Sequence, residues 1–140
     1  MSIKSRSHCP ITFALDLFGD KWSLLILRDL LLRNKCHYQE FLNSGEGIST
    51  NILADRLNQL EGHGLIKKEK DESNKKQYIY SPTNKAKDLT PMLAEMIAWS
   101  AKYDPQTGVP EKMKRLIKKD KGAFIESLKY ENKTKSSTPA

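Results

Sequence analysis

Two cysteines, each beside a histidine, are the residues of this 140-residue chain best suited to chemistry: His8-Cys9 and Cys36-His37. Cys9 precedes Pro10, and proline is favoured in the first turn of a helix, so the thiol is expected at or next to a helix N-terminus. The unpaired amides there, with Lys4 and Arg6 nearby in sequence, favour the thiolate and hence reaction with oxidants or electrophiles. The competing reading is a small packed thiol. Zinc held jointly by both pairs is disfavoured, because their separation matches no compact ligand spacing, and neither a metal nor a cofactor is expected. His63 closes a helical stretch and reads as a C-terminal cap rather than a ligand. No phosphate-cradling glycine loop, nucleophile elbow or metalloprotease helix is present, and three scattered histidines form no acid-base set, so the chain reads as a non-enzyme.

Composition narrows the class. Two cysteines are too few for a disulfide framework and suit a reducing compartment. No apolar run approaches the roughly 20 residues of a spanning helix, and the polar N-terminus lacks a small-residue cleavage site, so a soluble cytoplasmic protein without a membrane partner is expected. The net charge of +7 attracts phosphates, but its position matters. Residues 1–104 carry 15 basic and 13 acidic groups, residues 105–140 carry 9 and 4, and most of the excess therefore sits in the tail. We read residues 1–104 as the folded domain and 105–140 as a basic helical extension with a disordered end after about Glu131.

The elements that position the chemistry follow from periodicity and punctuation. Pro10 opens a short apolar helix to about Phe18, Gly19 interrupts it, and Asp20 caps "KWSLLILRDLLLR", apolar almost all round and hence the buried centre. A third helix, "YQEFLNS", stops at the Gly45 to Gly47 turn, and a fourth starts after Ser49. Helix, glycine turn, helix is the arrangement of a helix-turn-helix. In the fourth helix Ile52, Leu53, Leu57 and Leu60 share one stripe, so Asn51, Asp55 and Asn58 point outward. Short polar side chains approach base edges closely, asparagine pairs with adenine, and the amides near Ser49 and Thr50 suit a phosphate. An ordinary solvated face is the alternative.

The next stretch, "GLIKKEKDESNKKQYIYSPT", holds two extended runs, Leu65 to Lys70 and Lys76 to Ser81, around a polar turn. Lys67, Lys68, Lys70, Lys75 and Lys76 offer flexible positive charge to a polyanion, tempered by Glu69, Asp71 and Glu72. Lysines that guard a hairpin edge against aggregation are the competing explanation. A helix-turn-helix followed by a basic hairpin is a winged helix, mainly α with a small β-hairpin. On this reading the fourth helix reads a groove of double-stranded DNA while the ribbon holds the backbone or an adjacent minor groove.

These motifs have a family pattern. "CPITFALDLFGDKWSLLILRDLL", Phe41-Leu42, "GIST", "LADRLNQLEGHGLI", "YSPT" and Trp99 resemble the HxlR-type bacterial winged-helix transcription regulators over roughly residues 8–103. Cys9-Pro10, Gly19 to Trp22, Arg28-Asp29-Leu30, Arg56-Leu57 and Gly64-Leu65 occur in the family's order. The resemblance implies a homodimer on a roughly palindromic operator, and some members use a cysteine at the position of Cys9 to sense oxidants or electrophiles. Ala86 stands where the family often has glycine, and the tail beyond Asp104 is longer than in a minimal member.

Dimerisation has support from the pattern as well. After Thr83, a plausible N-cap, "NKAKDLTPMLAEMIAWSAKY" carries one apolar row at Leu89, Leu93 and Ile97 and another at Met92, Met96, Trp99 and Tyr103. One row packs on the domain and the second meets a partner; a single wide face buried in the monomer is the alternative. Pro91 predicts a kink, or a helix that begins only there. In the tail, Gly122 separates two helical patches whose apolar faces need cover; an extended dimer interface is the preferred reading, with contact to flanking DNA or a membrane surface as the alternatives. The expectation is a dimeric winged-helix regulator, a repressor, responsive to redox or electrophiles through Cys9. The contrasting class is a winged-helix protein-interaction module without a DNA target.

Overall fold

Of the 140 residues, the computed structural model describes 7–130. Five helices and a hairpin make the first of two compact units, which divide between Asp88 and Leu89. They are α1 (Pro10–Phe18), α2 (Lys21–Leu32), α3 (Tyr38–Leu42), α4 (Thr50–Gly62), β1 (Ile66–Lys70), β2 (Tyr78–Pro82) and α5 (Asn84–Lys87). The second unit holds α6 (Thr90–Tyr103), α7 (Glu111–Lys119) and α8 (Lys121–Ser127). The shift in charge at residue 104 does not coincide with this division. Helix α6 goes with α7 and α8 instead, whose own centre is the fully buried Phe124.

Local chemistry sets the helix ends. Asp20 caps α2, its carboxylate accepting from Ser23 N at 3.0 Å and from Ser23 Oγ at 2.7 Å. Ser49 Oγ accepts from Ile52 N at 3.2 Å and starts α4, and Thr83 caps α5 in the same way through Ala86 N. Each such cap is worth about 0.5–2 kcal/mol. The other end of α4 is a Schellman motif: Leu65 N donates to Leu60 O and Gly64 N to Glu61 O. Gly64 has φ of +76°, where a side chain is strained, and the chain thus leaves α4 directly into the hairpin. His63 is the C-cap, and Lys85 Nζ reaches its carbonyl at 2.8 Å.

The core of the first unit is built on α2, whose Ile26, Leu27, Leu30 and Leu31 are buried together with Phe41, Leu53, Leu57, Leu60, Leu65 and Ile66. A fully buried leucine contributes about 1.5–3 kcal/mol, so the stripe of α4 is enough to fix which of its faces looks outward. Strands β1 and β2 pair antiparallel with Ile66 opposite Pro82 and Lys70 opposite Tyr78. Tyr80 N also donates to Cys36 O at 2.8 Å, which ties the segment before α3 to β2, and Phe41 meets Tyr80 edge to face at 5.9 Å. The result is a winged helix-turn-helix, mainly helical with one hairpin.

Several expectations shift by a residue or two for visible reasons. Helix α3 ends at Leu42, because Ser44 N turns back to Phe41 O and tightens the last turn before the glycines. Lys76 belongs to the turn and not to a strand, its N–H taken by Asn74 Oδ1 at 3.1 Å. Pro91 lies in the first turn of α6, so the helix starts there without a kink. The break between α7 and α8 falls at Asp120, which caps α8 through Ala123 N, and Gly122 lies inside α8. The segment after Glu131 lies outside the described residues.

Candidate functional site

The outward face of α4 carries Asn51, Asp55 and Asn58, all exposed, while Leu53, Leu57 and Leu60 are buried, as the helical spacing requires. Ser49 and Thr50 are exposed at its start, and Tyr38 Oη donates to Thr50 O at 3.3 Å. Asp55 is not a free acceptor, because Arg56 Nη1 and Gln59 Nε2 both donate to its Oδ2. That leaves Asn51 and Asn58 as the side chains of this face best placed to read a ligand.

Ion pairs that periodicity alone does not reveal also tie α4 and the turn before it to α2. Arg56 Nε donates to Asp20 Oδ1 at 3.0 Å, so one carboxylate caps α2 and also holds α4 against it. Arg28 Nη1 donates to Glu46 Oε2 at 2.8 Å and ties α2 to the turn between α3 and α4. The buried Asp29 balances Arg28 and Arg33 at 3.0 and 3.6 Å. The presence of Arg28, Asp29 and Arg56 among the sequence motifs was the one available signal; their partners lie too far along the chain to be inferred.

On the wing, Lys67 and Lys68 are both exposed, but successive strand residues face opposite sides of the ribbon. Lys68 and Lys70 stand over the Tyr78 ring at 4.3 and 6.0 Å, a cation–π pair on one side, whereas Lys67 lies opposite Ser81 on the other. Lys75 and Lys76 are exposed in the turn. One expectation needs correction: Asp71 does not temper the wing's field as a solvated charge. It is buried, its Oδ1 accepting from Ser73 N and Oγ and its Oδ2 meeting Gln77 Nε2 and His37 Nε2, each at 3.0 Å. These donors, those of Ser73 above all, hold the Asp71 carboxyl well below its ordinary range. The carboxylate thus anchors the wing tip to the start of α3.

The two cysteines occupy opposite environments. Cys9 is exposed and is the N-cap of α1; its thiol makes no capping hydrogen bond, but the nearby Thr12 amide and hydroxyl and the Ile11 amide of the first turn lower its pKa. The first turn of the helix is what acts on it; Lys4 and Arg6 lie outside the described residues. Cys36 is half-buried, and burial together with the nearby Glu40 and Asp71 carboxylates pushes its thiol up to about 11. Among the described residues, the cluster able to hold a metal is Cys36, His37 and Glu40; His8 and Cys9 are not part of it.

In the second unit, α6 buries Leu93 and Ala94 and leaves Met96, Trp99 and Tyr103 at 48%, 67% and 59% exposure, with Met92 half-buried. Trp99 and Tyr103 stack at 5.2 Å, one turn apart. Helix α1 of the first unit also exposes apolar residues, Ile11 and Leu15 one turn apart and Phe13 on another side of the helix, which the sequence pattern does not single out. Among the described residues no helix is long and apolar enough to cross a membrane.

Residues 17–108 match the family model of the HxlR-like helix-turn-helix proteins. The chain belongs to this family. Within the HxlR-like proteins, it is 35% identical over 88 residues to the HTH-type transcriptional regulator sll1512 of Synechocystis sp., covering 63% of this chain and 64% of that one. The chain therefore spans under two thirds of that relative's length. The crystal structure of PA1607, a candidate transcription factor, superposes with a TM-score of 0.67 at 34% identity, over 75% of this chain and 73% of PA1607. The redox regulator HypR in its oxidised form superposes with a TM-score of 0.60 at 25% identity, over 67% of this chain and 96% of HypR. All three carry the names of transcription regulators or factors, and PA1607 and HypR share the fold described here.

Proposed function

We propose that this HxlR-like chain is a homodimeric transcription repressor that binds a palindromic operator of double-stranded DNA. The observation that carries the reading is the pairing of α4, with Asn51 and Asn58 exposed beyond a Ser49-capped N-terminus, with a hairpin that exposes Lys67, Lys68, Lys75 and Lys76 in the same compact unit. The asparagines meet base edges in the major groove, while the lysines and the first amides of α4 take phosphates. Two copies are required because one recognition helix spans only a half-site, and the row of Met92, Met96, Trp99 and Tyr103 supplies an apolar surface for the partner. Selection from a random duplex library tests this. The expected result is an inverted repeat with half-sites one helical turn, about 34–36 Å, apart. Absence of salt-dependent duplex binding would instead assign the chain to winged-helix protein-interaction modules. Transcription in vitro from a promoter carrying the selected site should fall when the protein is added, and a rise would make it an activator.

Cys9 makes the repressor responsive to oxidants or electrophiles in this reading, in keeping with the redox regulator HypR among its structural relatives. The first turn of α1 lowers its thiol, while burial and the Glu40 and Asp71 carboxylates push that of Cys36 up to about 11, so Cys9 holds the larger thiolate fraction in metal-free protein. A higher pKa makes each thiolate a better nucleophile and returns part of this advantage, but Cys9 should remain the faster of the two towards an alkylating agent near neutral pH. Peptide mapping of alkylation against pH measures the ratio. Oxidant treatment should weaken operator binding by the parent and not by Cys9→Ser; equal behaviour of the two proteins places the trigger elsewhere.

A further inference from the structure

Cys36, His37 and Glu40 gather at the start of α3, with one ligand atom of each within 4.8 Å of the others. Cys36 Sγ lies 3.5 Å from His37 Nδ1, and His37 Nδ1 lies 3.5 Å from Glu40 Oε1. A tetrahedral zinc ion, with bonds of about 2.3 Å to sulfur and about 2.0–2.1 Å to nitrogen or oxygen, holds such ligand pairs about 3.3–3.6 Å apart. Two edges of the ligand triangle therefore already have the spacing of an occupied site.

The far side of the imidazole is arranged to match. His37 Nε2 lies 3.0 Å from Oδ2 of the buried Asp71, and an ionised carboxylate only accepts, so the ring proton sits on Nε2. The lone pair of Nδ1 then points towards Cys36 and Glu40, where the capping box gives it the Glu40 backbone N–H as its partner, a bond that a metal ion would replace. A carboxylate behind the other nitrogen is how metal-binding histidines are commonly oriented. Asp71 is itself locked by Ser73 and Gln77, and the Glu40 carboxylate is held by the backbone amides of Cys36 and His37 at 2.8 and 3.0 Å. Glu40 is exposed and its two neighbours half-buried, which leaves the cluster open to solvent on one side.

We propose that Cys36, His37 and Glu40 form a three-ligand site for a zinc-class divalent ion, with Asp71 as the positioning residue of His37 and water as the fourth ligand. On binding, the sulfur–metal bond forms as the thiol proton leaves to the buffer. One thiolate, one imidazole and one carboxylate suit Zn(II) or Co(II) rather than magnesium or calcium, which take all-oxygen sets. This departs from the sequence expectation of no metal, because Glu40 belongs to neither Cys-His pair and Asp71 is 34 residues from His37. The site stands independently of the DNA-binding reading.

The test is titration of the reduced, chelator-treated full chain with Co(II), followed by displacement with Zn(II). One cobalt per chain should bind with tetrahedral ligand-field bands and a thiolate-to-cobalt charge-transfer band. Cys36→Ser should remove that charge-transfer band and Cys9→Ser should keep it. Glu40→Gln preserves the shape and the amide acceptor, so it folds normally, and should retain the band while affinity falls at least about tenfold. Asp71→Asn should lower affinity about 10–100-fold with the band kept. A merely structural Asp71 would lower the melting temperature of metal-free protein and leave cobalt affinity of the folded chain unchanged. The proposal is overturned by a parent protein without the band, by a band that follows Cys9 instead of Cys36, or by unaltered affinity in Glu40→Gln.

Discussion

Helices α4 and α6 are alike in length and in having one buried row, yet they turn opposite chemistry outward. Helix α4 buries Leu53, Leu57 and Leu60 and exposes asparagines, whereas α6 buries Leu93 and Ala94 and exposes Met96, Trp99 and Tyr103. A polar outer face is at equilibrium with water and changes little in free energy until a hydrogen-bonding partner arrives. An aromatic outer face is unfavourable in water at every moment and is covered by association. In the proposed reading this contrast gives specificity to α4 and assembly to α6, and it can be broken or sharpened residue by residue.

The largest effect is expected inside α4. Leu57→Ala removes a nearly fully buried side chain and should cost about 2–5 kcal/mol, read from urea unfolding, with operator binding falling in step with the folded fraction. Trp99→Ala should do the reverse: little change in the unfolding of the monomer but at least about 2 kcal/mol lost from dimer dissociation, measured by sedimentation equilibrium. If Trp99→Ala destabilises the isolated monomer as Leu57→Ala does, the two helices are not distinguished by their outer faces.

Smaller effects separate the readers from the holders. Asn51→Ala should reduce discrimination between the selected operator and a one-base variant by about 1–3 kcal/mol, compared in competition binding. An unchanged specificity ratio removes Asn51 from the readout. Lys75→Ala and Lys76→Ala should weaken all duplexes alike and reduce the slope of log affinity against log salt by about 1 for each phosphate that is no longer neutralised. A lysine change that alters sequence preference instead would move readout from α4 to the wing.

The elements of the fold were legible because their signals are local. The caps at Asp20, Ser49 and Thr83 each bond an amide three residues on, and the leucine stripe of α4 repeats within one helix. The candidate interface was legible to the same extent, since exposure of Asn51 and Asn58 follows from burial of the opposite face. What lay out of reach was the removal of Asp55 from the free acceptors by Arg56 and Gln59 and the burial of Asp71 against His37. The first depends on rotamers and the second on a partner 34 residues away, neither of which composition encodes. The exposed apolar residues of α1 were not legible, because a short hydrophobic run gives no sign of which residues the core leaves uncovered.

The sequence by itself determined the order of helices and hairpin, the capped starts of α2, α4 and α5 and the polar face of α4, because signals within a few residues decide these wherever the chain lies in space. Only the tertiary structure decided the role of charges whose partners are distant in sequence. Arg56 reaches Asp20 across 36 residues, Arg28 reaches Glu46 across 18, and Asp71 reaches His37 across 34. The same holds for the thiols: Cys9 acquires its character from its own first turn, whereas that of Cys36 comes from burial and from carboxylates, one of which arrives with the wing. An ionisable side chain takes its chemistry from whatever surrounds it within a few ångströms, and for a buried group that shell is assembled from remote parts of the chain.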